Sequence, residues 1–304
     1  MTRYLVTGGC GFVGSHLCDA LVGAGASVII LDNLSTGKTS NLPVGARLVE
    51  GDVADPDAVA RAIHGMDGVF HLAGIASVEY CNTHWREGHR TNLTGSVTVF
   101  EAAKNAGKVP VVYTSSAAVY GDAGDGAVHE DRMVSPLTAY GADKLGSELH
   151  ARIATSVHGV PTVGLRPFNI YGPRQDPSSA YSGVISIFND RLRTRQPITI
   201  FGDGLQTRDF VFVTDVVQML VAAMRKSPAE AGRVFNACTG RATSLLDLMA
   251  ILARLHRTEP NVTYCPPRAG DIRHSLGDPA RAAAALGVQA SVALETGLKL
   301  LIGM

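Results

Sequence analysis

A glycine-rich turn near the N-terminus constrains the fold of this chain more than any other feature. The segment GGCGFVG, residues 8–14, follows a short β-branched run and precedes apolar residues at helical spacing. Glycines here allow a tight turn, close packing of a helix on a sheet, and approach of the backbone to a pyrophosphate at the helix N-terminus. Asp32 follows the second β-branched run. The combination predicts a dinucleotide-binding unit rather than an isolated glycine-rich loop.

Short β-branched runs alternate with helical patterns through the first half of the chain. Asp55 followed by Pro56 predicts a helix start. Gly159 predicts the end of a long helix that begins near Tyr140. This alternation predicts an α/β fold with a Rossmann-type doubly wound parallel sheet. The predicted strands cover residues 4–7, 27–31, 46–50, 68–72, 109–114 and 161–166.

The pattern changes after Arg166, where prolines separate shorter elements. Residues 210–216 and 233–237 are predicted strands, which we expect to return to the main sheet. We therefore expect a dinucleotide-binding domain over residues 1–165, rejoined by 207–238. Residues 166–206 and 239–304 are expected to form a smaller, discontinuous substrate domain.

Composition excludes several classes of function. The 304 residues carry 27 basic and 27 acidic side chains, so no broad charged surface favours nucleic acid or anionic membranes. Five scattered cysteines without a CxxC pair are typical of a reducing cytoplasm and not of a disulfide framework. We therefore expect no signal peptide, no membrane span and no bound metal, since the sequence shows none of the corresponding patterns.

Two carboxylates are candidate cofactor ligands. Asp32 can accept hydrogen bonds from a ribose diol and would repel a 2′-phosphate, which favours NAD over NADP. Asp52 ends the third predicted strand and could meet the adenine amino group. The alternative for Asp52 is a solvated surface carboxylate.

Tyr140 and Lys144 are the candidate catalytic pair. A spacing of four residues places them on one face of a helix, where the ammonium should lower the pKa of the phenol. A phenolate can take a hydroxyl proton while hydride leaves the same carbon for NAD⁺. Ser116, at the end of the fifth predicted strand, could share that proton. The alternatives are a solvated tyrosine–lysine pair and a serine that merely closes a strand.

These motifs resemble those of the extended short-chain dehydrogenase/reductase family. HLAG at 71–74, Asn92, TSSAAVYG and YGADK carry the likeness in the first half. RPFNIYGPRQ at 166–175, FGDGLQTRDFVFVTDV at 201–216 and PPRAGDIRHSLGD at 266–278 extend it into the second half. The later motifs are similar to the nucleotide-sugar branch, nearest the UDP-sugar 4-epimerases. The resemblance implies inversion of C4 through a transient 4-keto sugar, with NAD regenerated in each cycle.

The motifs and the resemblance together imply a set of NAD contacts along the first half of the chain. They are Gly8, Gly11, Phe12, Val13, Gly14, Asp32, Asn33, Ser35, Thr36, Gly37, Asp52, Val53, Leu72, Ala73, Gly74, Asn92, Ser115, Tyr140, Lys144 and Phe168.

The resemblance also implies contacts to a UDP-sugar. Arg208 and Arg268 would reach its diphosphate, with Asn169 as a further donor, although surface salt bridges are the alternative for each arginine. Ser275 would leave room for an N-acetyl group at C2. The substrate residues so implied are Ser116, Tyr140, Asn169, Val184, Thr199, Ile200, Phe201, Arg208, Arg268, Asp271 and Ser275.

Other activities of the same family stay open. Nucleotide-sugar dehydratases and decarboxylases carry acidic residues where this chain has Ala117 and Ala118, so both activities are minor alternatives. A UDP-glucuronate 4-epimerase, a dehydrogenase or reductase with net redox change, and a catalytically silent NAD-binding protein are the others. The resemblance also implies a homodimer through helices near residues 92–106 and 140–158.

Overall fold

The computed structural model of the chain describes residues 1–175, 183–267 and 272–304. A seven-stranded parallel sheet forms its centre, and two smaller sheets lie beside it. The strands are β1 (Arg3–Thr7), β2 (Ser27–Asp32), β3 (Ala46–Glu50), β4 (Gly68–His71), β5 (Val111–Thr114), β6 (Thr162–Pro167), β7 (Asn169–Tyr171), β8 (Ile198–Phe201), β9 (Thr207–Phe212), β10 (Arg233–Ala237), β11 (Ala242–Ser244), β12 (Val262–Cys265) and β13 (His274–Ser275).

Helices cover both faces of the central sheet. A π-helical turn, Arg90–Thr94, joins the fourth and fifth helices, and a 3₁₀ turn, Ala117–Tyr120, follows β5. The α-helices are α1 (Phe12–Gly23), α2 (Pro56–Ile63), α3 (Val78–Thr83), α4 (Trp85–His89), α5 (Gly95–Asn105), α6 (Ala139–Ser156), α7 (Val184–Arg193), α8 (Val213–Lys226), α9 (Leu245–His256), α10 (Ala280–Leu286) and α11 (Leu294–Ile302). None of these described helices is long and apolar enough to cross a membrane.

The strand order β10-β6-β5-β4-β1-β2-β3 confirms the predicted doubly wound fold. The chain runs from β1 outward to β3 and then returns to place β4 on the other side of β1. Thr7 at the end of β1 pairs with Leu31 on one side and with His71 on the other. The loops after β1 and β4 therefore part at this switch point, and the crevice between them is where such sheets bind ligands.

Alternating side chains of the central strands build two apolar layers. Val6 and Phe70 face α1 and α8, whereas Leu5 and Val69 face α2, α5 and α6. This alternation follows from the two-residue period of a strand. Each fully buried side chain of this size contributes about 1.5–3 kcal/mol to stability. A third apolar cluster lies under the smaller sheets and includes Ile198.

Local signals in the sequence fix several element ends. The Asp55 carboxylate accepts a hydrogen bond from the Asp57 N–H at 3.0 Å and caps α2, as predicted. Gly159 has φ +70°, which suits a left-handed position after a helix. Helix α6 itself ends at Ser156, and the Gly159 N–H reaches back to the Thr155 carbonyl at 3.1 Å.

The prediction for residues 210–216 is wrong in its second half. The strand ends at Phe212, and α8 begins at Val213. Val213, Val216 and Leu220 are buried at a helical spacing, so the apolar run was compatible with either element. β9 also pairs with β7, β11 and β13 and not with the central sheet, whereas β10 lies at the edge of that sheet beside β6. We propose the two-domain division above, with residues 207–212 moved to the smaller domain.

Candidate functional site

A cavity of about 600 Å³ lies at the carboxyl edge of the central sheet. Its wall is built from the loops that follow β1, β2, β3, β4 and β5 and from residues after β6 and β7. This volume is in the range of small-molecule sites, and the position is the switch point of the sheet.

The glycine-rich turn forms one wall of the cavity and fits a pyrophosphate. A Cβ atom on Gly14 would lie 2.1 Å from the Gly8 carbonyl oxygen, and one on Gly8 would lie 2.7 Å from the Ala73 nitrogen. Only glycine fits these positions. Helix α1 starts at Phe12 with no side-chain cap and no acidic residue in its first turn. Its N-terminal N–H groups can therefore receive an anion.

Asp32 lies at the end of β2 and is held in a fixed orientation. Its Oδ2 accepts from the Cys10 N–H and its Oδ1 from the Leu34 N–H, each at 2.9 Å. A carboxylate oxygen has two lone pairs, so each oxygen keeps a second acceptor position for a ribose hydroxyl. The loop after β2 packs against the Asp32 carboxylate, since an added Cβ on Gly37 would lie 2.8 Å from Oδ1.

Most of the predicted cofactor residues line this cavity. The lining includes Gly8, Gly11, Phe12, Val13, Gly14, Asp32, Asn33, Ser35, Thr36, Gly37, Asp52, Val53, Leu72, Ala73, Gly74, Ser115, Tyr140 and Phe168.

Asn92 and Lys144 lie behind the cavity wall. Asn92 accepts from the Ile75 N–H at 2.8 Å and donates to the Ile75 carbonyl at 3.1 Å, so it fixes the loop after β4. The Lys144 Nζ donates to the Thr114 carbonyl at 2.8 Å. Both approach Gly74, whose added Cβ would lie 3.0 Å from the Asn92 oxygen and 3.5 Å from the Lys144 nitrogen.

The structure brings Ser116, Tyr140 and Lys144 together. Tyr140 and Ser116 line the cavity and share a hydrogen bond. The Lys144 Nζ is 5.8 Å from the centre of the Tyr140 ring, one turn along α6. Ser116 also caps the 3₁₀ turn after β5, because its Oγ accepts from the Ala118 N–H at 3.1 Å. A phenol, a hydroxyl and an ammonium thus meet at the edge of the cavity.

The electrostatics of this group differ from the sequence prediction. Burial raises the pKa of Tyr140 above 10, and the hydrogen bond with Ser116 only partly opposes it. Burial also lowers the pKa of Lys144 to about 8. Desolvation of the phenolate therefore sets the net direction of the Tyr140 pKa in the chain alone, and a lowering by Lys144 stays a prediction.

A buried chain of hydrogen bonds supports the loop after β4. His71 Nδ1 lies 2.8 Å from Thr7 Oγ1, and its Nε2 lies 3.1 Å from Ser96 Oγ. Ser96 donates to the Asn92 carbonyl at 2.6 Å, which assigns the ring proton to Nε2. Burial lowers the pKa of His71 to about 3, so the ring stays neutral.

Sequence reasoning missed Arg90 at the rim of the cavity. Its Nη1 donates to Asp52 Oδ2 at 2.6 Å, and the other Asp52 oxygen accepts from the Ala54 N–H at 2.8 Å. The π-helical turn from Arg90 to Thr94 aims Arg90 at Asp52 and Asn92 at Ile75. No residue pattern marks such a turn. Tyr80, Glu87, Arg174 and Gln175 also line the cavity and were not predicted.

Among the predicted substrate residues that the structure describes, Ser116 and Tyr140 line the cavity. The others lie outside its described lining, and those on the smaller sheets are Asn169, Thr199, Ile200, Phe201, Arg208 and Ser275. Arg208 on β9 is the register partner of Ser275 on β13, and Asn169 Nδ2 donates to the Asp209 carbonyl at 3.2 Å. Val184 starts α7, and Thr199 and Phe201 flank Ile200 on β8.

A substrate contact by Ile200 stays a prediction, although its side chain is buried. It is 1% exposed and packs in the apolar cluster under these sheets, because alternate residues of β8 face inward. Only its backbone could touch a ligand. Arg268 and Asp271 lie outside the described residues.

Comparisons with known proteins agree with this geometry. The model of the NAD dependent epimerase/dehydratase family matches residues 4–238. The UDP-glucose 4-epimerase of Mycolicibacterium smegmatis is 38% identical over 303 residues, covering 97% of this chain and 96% of that protein. The UDP-glucose 4-epimerase of Thermotoga maritima, solved with UDP-glucose, has a TM-score of 0.95 at 36% identity and covers 99% of this chain and 98% of its own. The UDP-glucose 4-epimerase of Thermus thermophilus, solved with NAD, has a TM-score of 0.92 at 32% identity, with coverage of 99% and 98%.

Proposed function

Because the chain belongs to the NAD-dependent epimerase/dehydratase family, we propose that it is an isomerase that inverts C4 of a UDP-hexose. The observation that carries the proposal is the meeting of Ser116, Tyr140 and Lys144 beside a cavity whose glycine turn fits a pyrophosphate. The relatives named UDP-glucose 4-epimerase over nearly the whole chain support the choice of substrate.

The residues fit NAD as the cofactor. The N-terminus of α1 holds the pyrophosphate, and Asp32 holds a ribose diol. When bound, NAD supplies a hydride acceptor for C4 of the sugar and later returns the hydride.

Tyr140 handles the proton of the reaction. It takes the proton of the C4 hydroxyl as C4 is oxidised and gives it back when C4 is reduced on the opposite face. Ser116, hydrogen-bonded to the phenol, bridges it to the substrate oxygen. Lys144 is fixed on the Thr114 carbonyl and adds positive charge beside the phenol. Since each cycle ends with the starting redox state, the net reaction is an isomerisation.

Arg208 and Asn169 hold the UDP diphosphate in this proposal, with Arg268 as a further cation. Arg208 lies on β9 beside Ser275, so a sugar attached to that diphosphate would pass the small serine side chain. Space there favours a hexose with or without an N-acetyl group at C2. UDP-glucuronate is the alternative substrate.

The turn after β5 argues against water elimination. Ala117 and Ala118 form that turn directly after Ser116. A methyl side chain cannot remove the C5 proton, which a dehydratase needs to do. A reductase with net redox change uses the same tyrosine and lysine, and consumption of added NADH would identify it.

We also propose that two copies pair through α6. Leu149, Ile153 and Val157 are exposed at intervals of four residues, which places them in one apolar stripe. Light scattering should give a mass near twice 31.9 kDa. Ile153→Asp should reduce the mass to that of one copy. Ile187→Asp on α7 should leave the mass doubled, and Ile187 is 42% exposed against 49% for Ile153. A single mass for the unaltered chain would contradict the dimer.

A cytoplasmic location completes the proposal. Cys10, Cys18, Cys81 and Cys238 are buried free thiols, which suits a reducing compartment.

NMR of the purified protein with UDP-glucose, UDP-N-acetylglucosamine and UDP-glucuronate in separate tubes tests the function. We expect the C4-inverted sugar from one of the first two, and about 10²–10⁴-fold slower inversion by Tyr140→Phe, because its proton transfer is lost. Tyr4→Phe, far from the cavity, is the matched control. Absence of inversion in all tubes, with NAD⁺ added, would contradict the proposal.

A further inference from the structure

We infer that a buried ion pair, Glu148 with Arg166, positions Ser116 against Tyr140, although neither charged residue touches the cavity. The inference rests on the proposed function, since it takes Ser116 and Tyr140 as the groups that meet the substrate. It adds two positioning residues to a reaction whose contact groups lie elsewhere.

The ion pair joins the helix of Tyr140 to the central sheet. Glu148 lies on α6, one turn after Lys144, and Arg166 lies on β6. The Arg166 Nε donates to Glu148 Oε1 at 2.8 Å, and Nη2 donates to Oε2 at 2.7 Å. Arg166 is 4% exposed and Glu148 is 8% exposed. Two parallel hydrogen bonds fix both distance and orientation.

The same pair holds the chain on both sides of Ser116. Ser115, the preceding residue, donates its hydroxyl proton to Glu148 Oε1. Tyr120, the last residue of the turn that Ser116 caps, accepts at its hydroxyl oxygen from Arg166 Nη1 at 2.9 Å. Glu148 and Arg166 thus fix the segment that carries Ser116 relative to the helix that carries Tyr140.

Further hydrogen bonds anchor the network away from the cavity. The Tyr120 hydroxyl donates to Asn236 Oδ1 at 2.7 Å, and Asn236 Nδ2 donates to the Val128 carbonyl at 2.8 Å. Glu130 Oε1 accepts from the Asn236 N–H at 2.8 Å. In the described part of the chain, the buried side-chain atoms without a partner are Asp143 Oδ2 and Gln206 Oε1, so the network is fully satisfied.

Stability alone does not account for this arrangement. Removing two charges from water costs about as much as their attraction returns, and well-packed apolar residues often stabilise a fold as well or better. A satisfied buried network instead fixes one geometry, and here the fixed groups flank Ser116.

Loss of the pair should therefore change chemistry more than binding. A displacement of about 1 Å at the reacting groups can lower a rate about 10²-fold. The hydrogen bond with Ser116 lowers the pKa of Tyr140, whereas burial and Cys81 raise it. Lys144 lies beside the Tyr140 ring, and the Asp143 carboxylate acts in turn on Lys144 and on Cys81. If Ser116 moves away, the ionisation of Tyr140 should shift to higher pH.

The test compares Glu148→Gln with the unaltered protein. We expect kcat to fall about 10- to 100-fold, with KM for the UDP-sugar changed less than about twofold. The limb on which kcat rises with pH should move to higher pH. Arg166→Lys keeps the positive charge but not the two parallel hydrogen bonds. Its kcat, and the pH at which its kcat rises, should lie between those of Glu148→Gln and the unaltered protein.

Asp215→Asn is the matched control for general destabilisation. Asp215 is 1% exposed and accepts from Ser291 and the Val292 N–H, far from Ser116. Asp215→Asn should lower the melting temperature and leave both kcat and the pH dependence of kcat unchanged. Tyr120→Phe keeps the ion pair and removes only the hydrogen bond between Arg166 and the Tyr120 hydroxyl. It should therefore raise the pH at which kcat increases by less than Glu148→Gln does. It also serves as the test if Glu148→Gln does not fold.

A direct titration separates this inference from the proposed function. The Tyr140 ionisation is the ultraviolet difference between each protein and its Tyr140→Phe partner, and it requires no turnover. A higher ionisation pH in Glu148→Gln or Tyr120→Phe supports positioning even where no sugar is inverted. Unchanged Tyr140 ionisation and unchanged kcat in both variants would overturn it.

Discussion

Tyr140 is the side chain that we propose for proton transfer, and its surroundings raise the pKa of its phenol. Its position in the cavity raises its pKa, and the hydrogen bond with Ser116 opposes this. Lys144 is itself desolvated, with a pKa lowered to about 8. We expect the positive ring of NAD⁺ to supply the remaining attraction, so that the phenolate forms only where hydride can also leave.

The spacing of Tyr140 and Lys144 was predictable from the sequence, but the balance of their pKa shifts was not. A four-residue interval fixes the helix face. Desolvation depends on every element that covers the pair, and the sequence does not state which loops do so. Asp32 was predictable for a different reason, because it stands at the end of a strand that precedes the loop of the cavity.

Arg90→Ala should weaken NAD binding. The Arg90–Asp52 pair stands at the rim of the cavity, with side-chain exposures of 55% and 27%. At that exposure the pair is worth about 0.5–1 kcal/mol, so the Kd for NAD should rise about two- to fivefold. Calorimetric titration measures it.

Asp52→Asn should have a similar effect, and the double variant should show less than the sum, since both changes remove one interaction. Arg86→Ala, on the neighbouring exposed helix α4, is the control. An unchanged Kd in Arg90→Ala would show that the pair does not form the adenine end of the site.

At the scale of elements, the glycine turn is the part of the site that tolerates the least change in side-chain size. Gly14→Ala would place a Cβ 2.1 Å from the Gly8 carbonyl oxygen, so the turn must open. We expect loss of NAD binding and a destabilisation of about 1–3 kcal/mol from overpacking. Calorimetric titration and urea unfolding measure the two effects.

Gly23→Ala is the matched control on the same helix. Nothing described lies within 4 Å of an added Cβ there, so the change should stabilise α1 by up to about 1 kcal/mol and leave NAD binding unchanged. Equal NAD affinity in Gly14→Ala and the unaltered protein would contradict the role of the turn.

The elements also show where sequence reasoning reaches its limit. β1 to β6 were predictable because buried parallel strands are short β-branched runs between helical patterns. Residues 213–216 were not, since the apolar run at 210–213 continues past the end of the strand, and Val213 and Val216 alone do not decide between the period of a strand and that of a helix. The π-helical turn at Arg90–Thr94 leaves no residue signal, and it places two side chains of the site. Ile200 was predicted from a motif, which does not show that strand alternation turns its side chain inward and leaves only its backbone for a ligand.

For the whole molecule, the buried His71 predicts how stability depends on acid. Burial lowers its pKa in the folded chain to about 3, whereas the unfolded chain binds the proton near 6.5. Its contribution is therefore fully present above pH 6.5 and is lost as the pH falls toward 3. Between these limits the unfolding free energy should lose up to about 1.36 kcal/mol per pH unit through this group.

His71→Gln removes the group that binds this proton. Below pH 6.5, its unfolding free energy should therefore fall less steeply with decreasing pH, by the same amount per pH unit. Glutamine keeps a donor and an acceptor for Thr7 and Ser96. Urea unfolding at several pH values between 6.5 and 4 measures the slope. His150→Gln, exposed on α6, is the control. Parallel curves for His71→Gln and the unaltered protein would contradict the neutral, buried role of His71.

The whole molecule combines a dinucleotide cradle with smaller sheets, to which we assign the sugar nucleotide, and we propose Tyr140 as the proton-transfer group between them. In the proposed reaction, the hydrogen on C4 leaves as hydride and returns to the same carbon. Inversion of a UDP-sugar in D₂O, followed by proton NMR at C4, is the most direct measurement. We predict that the inverted product keeps hydrogen at C4, because Tyr140 exchanges only the hydroxyl proton with solvent. Deuterium at C4 would contradict the claim.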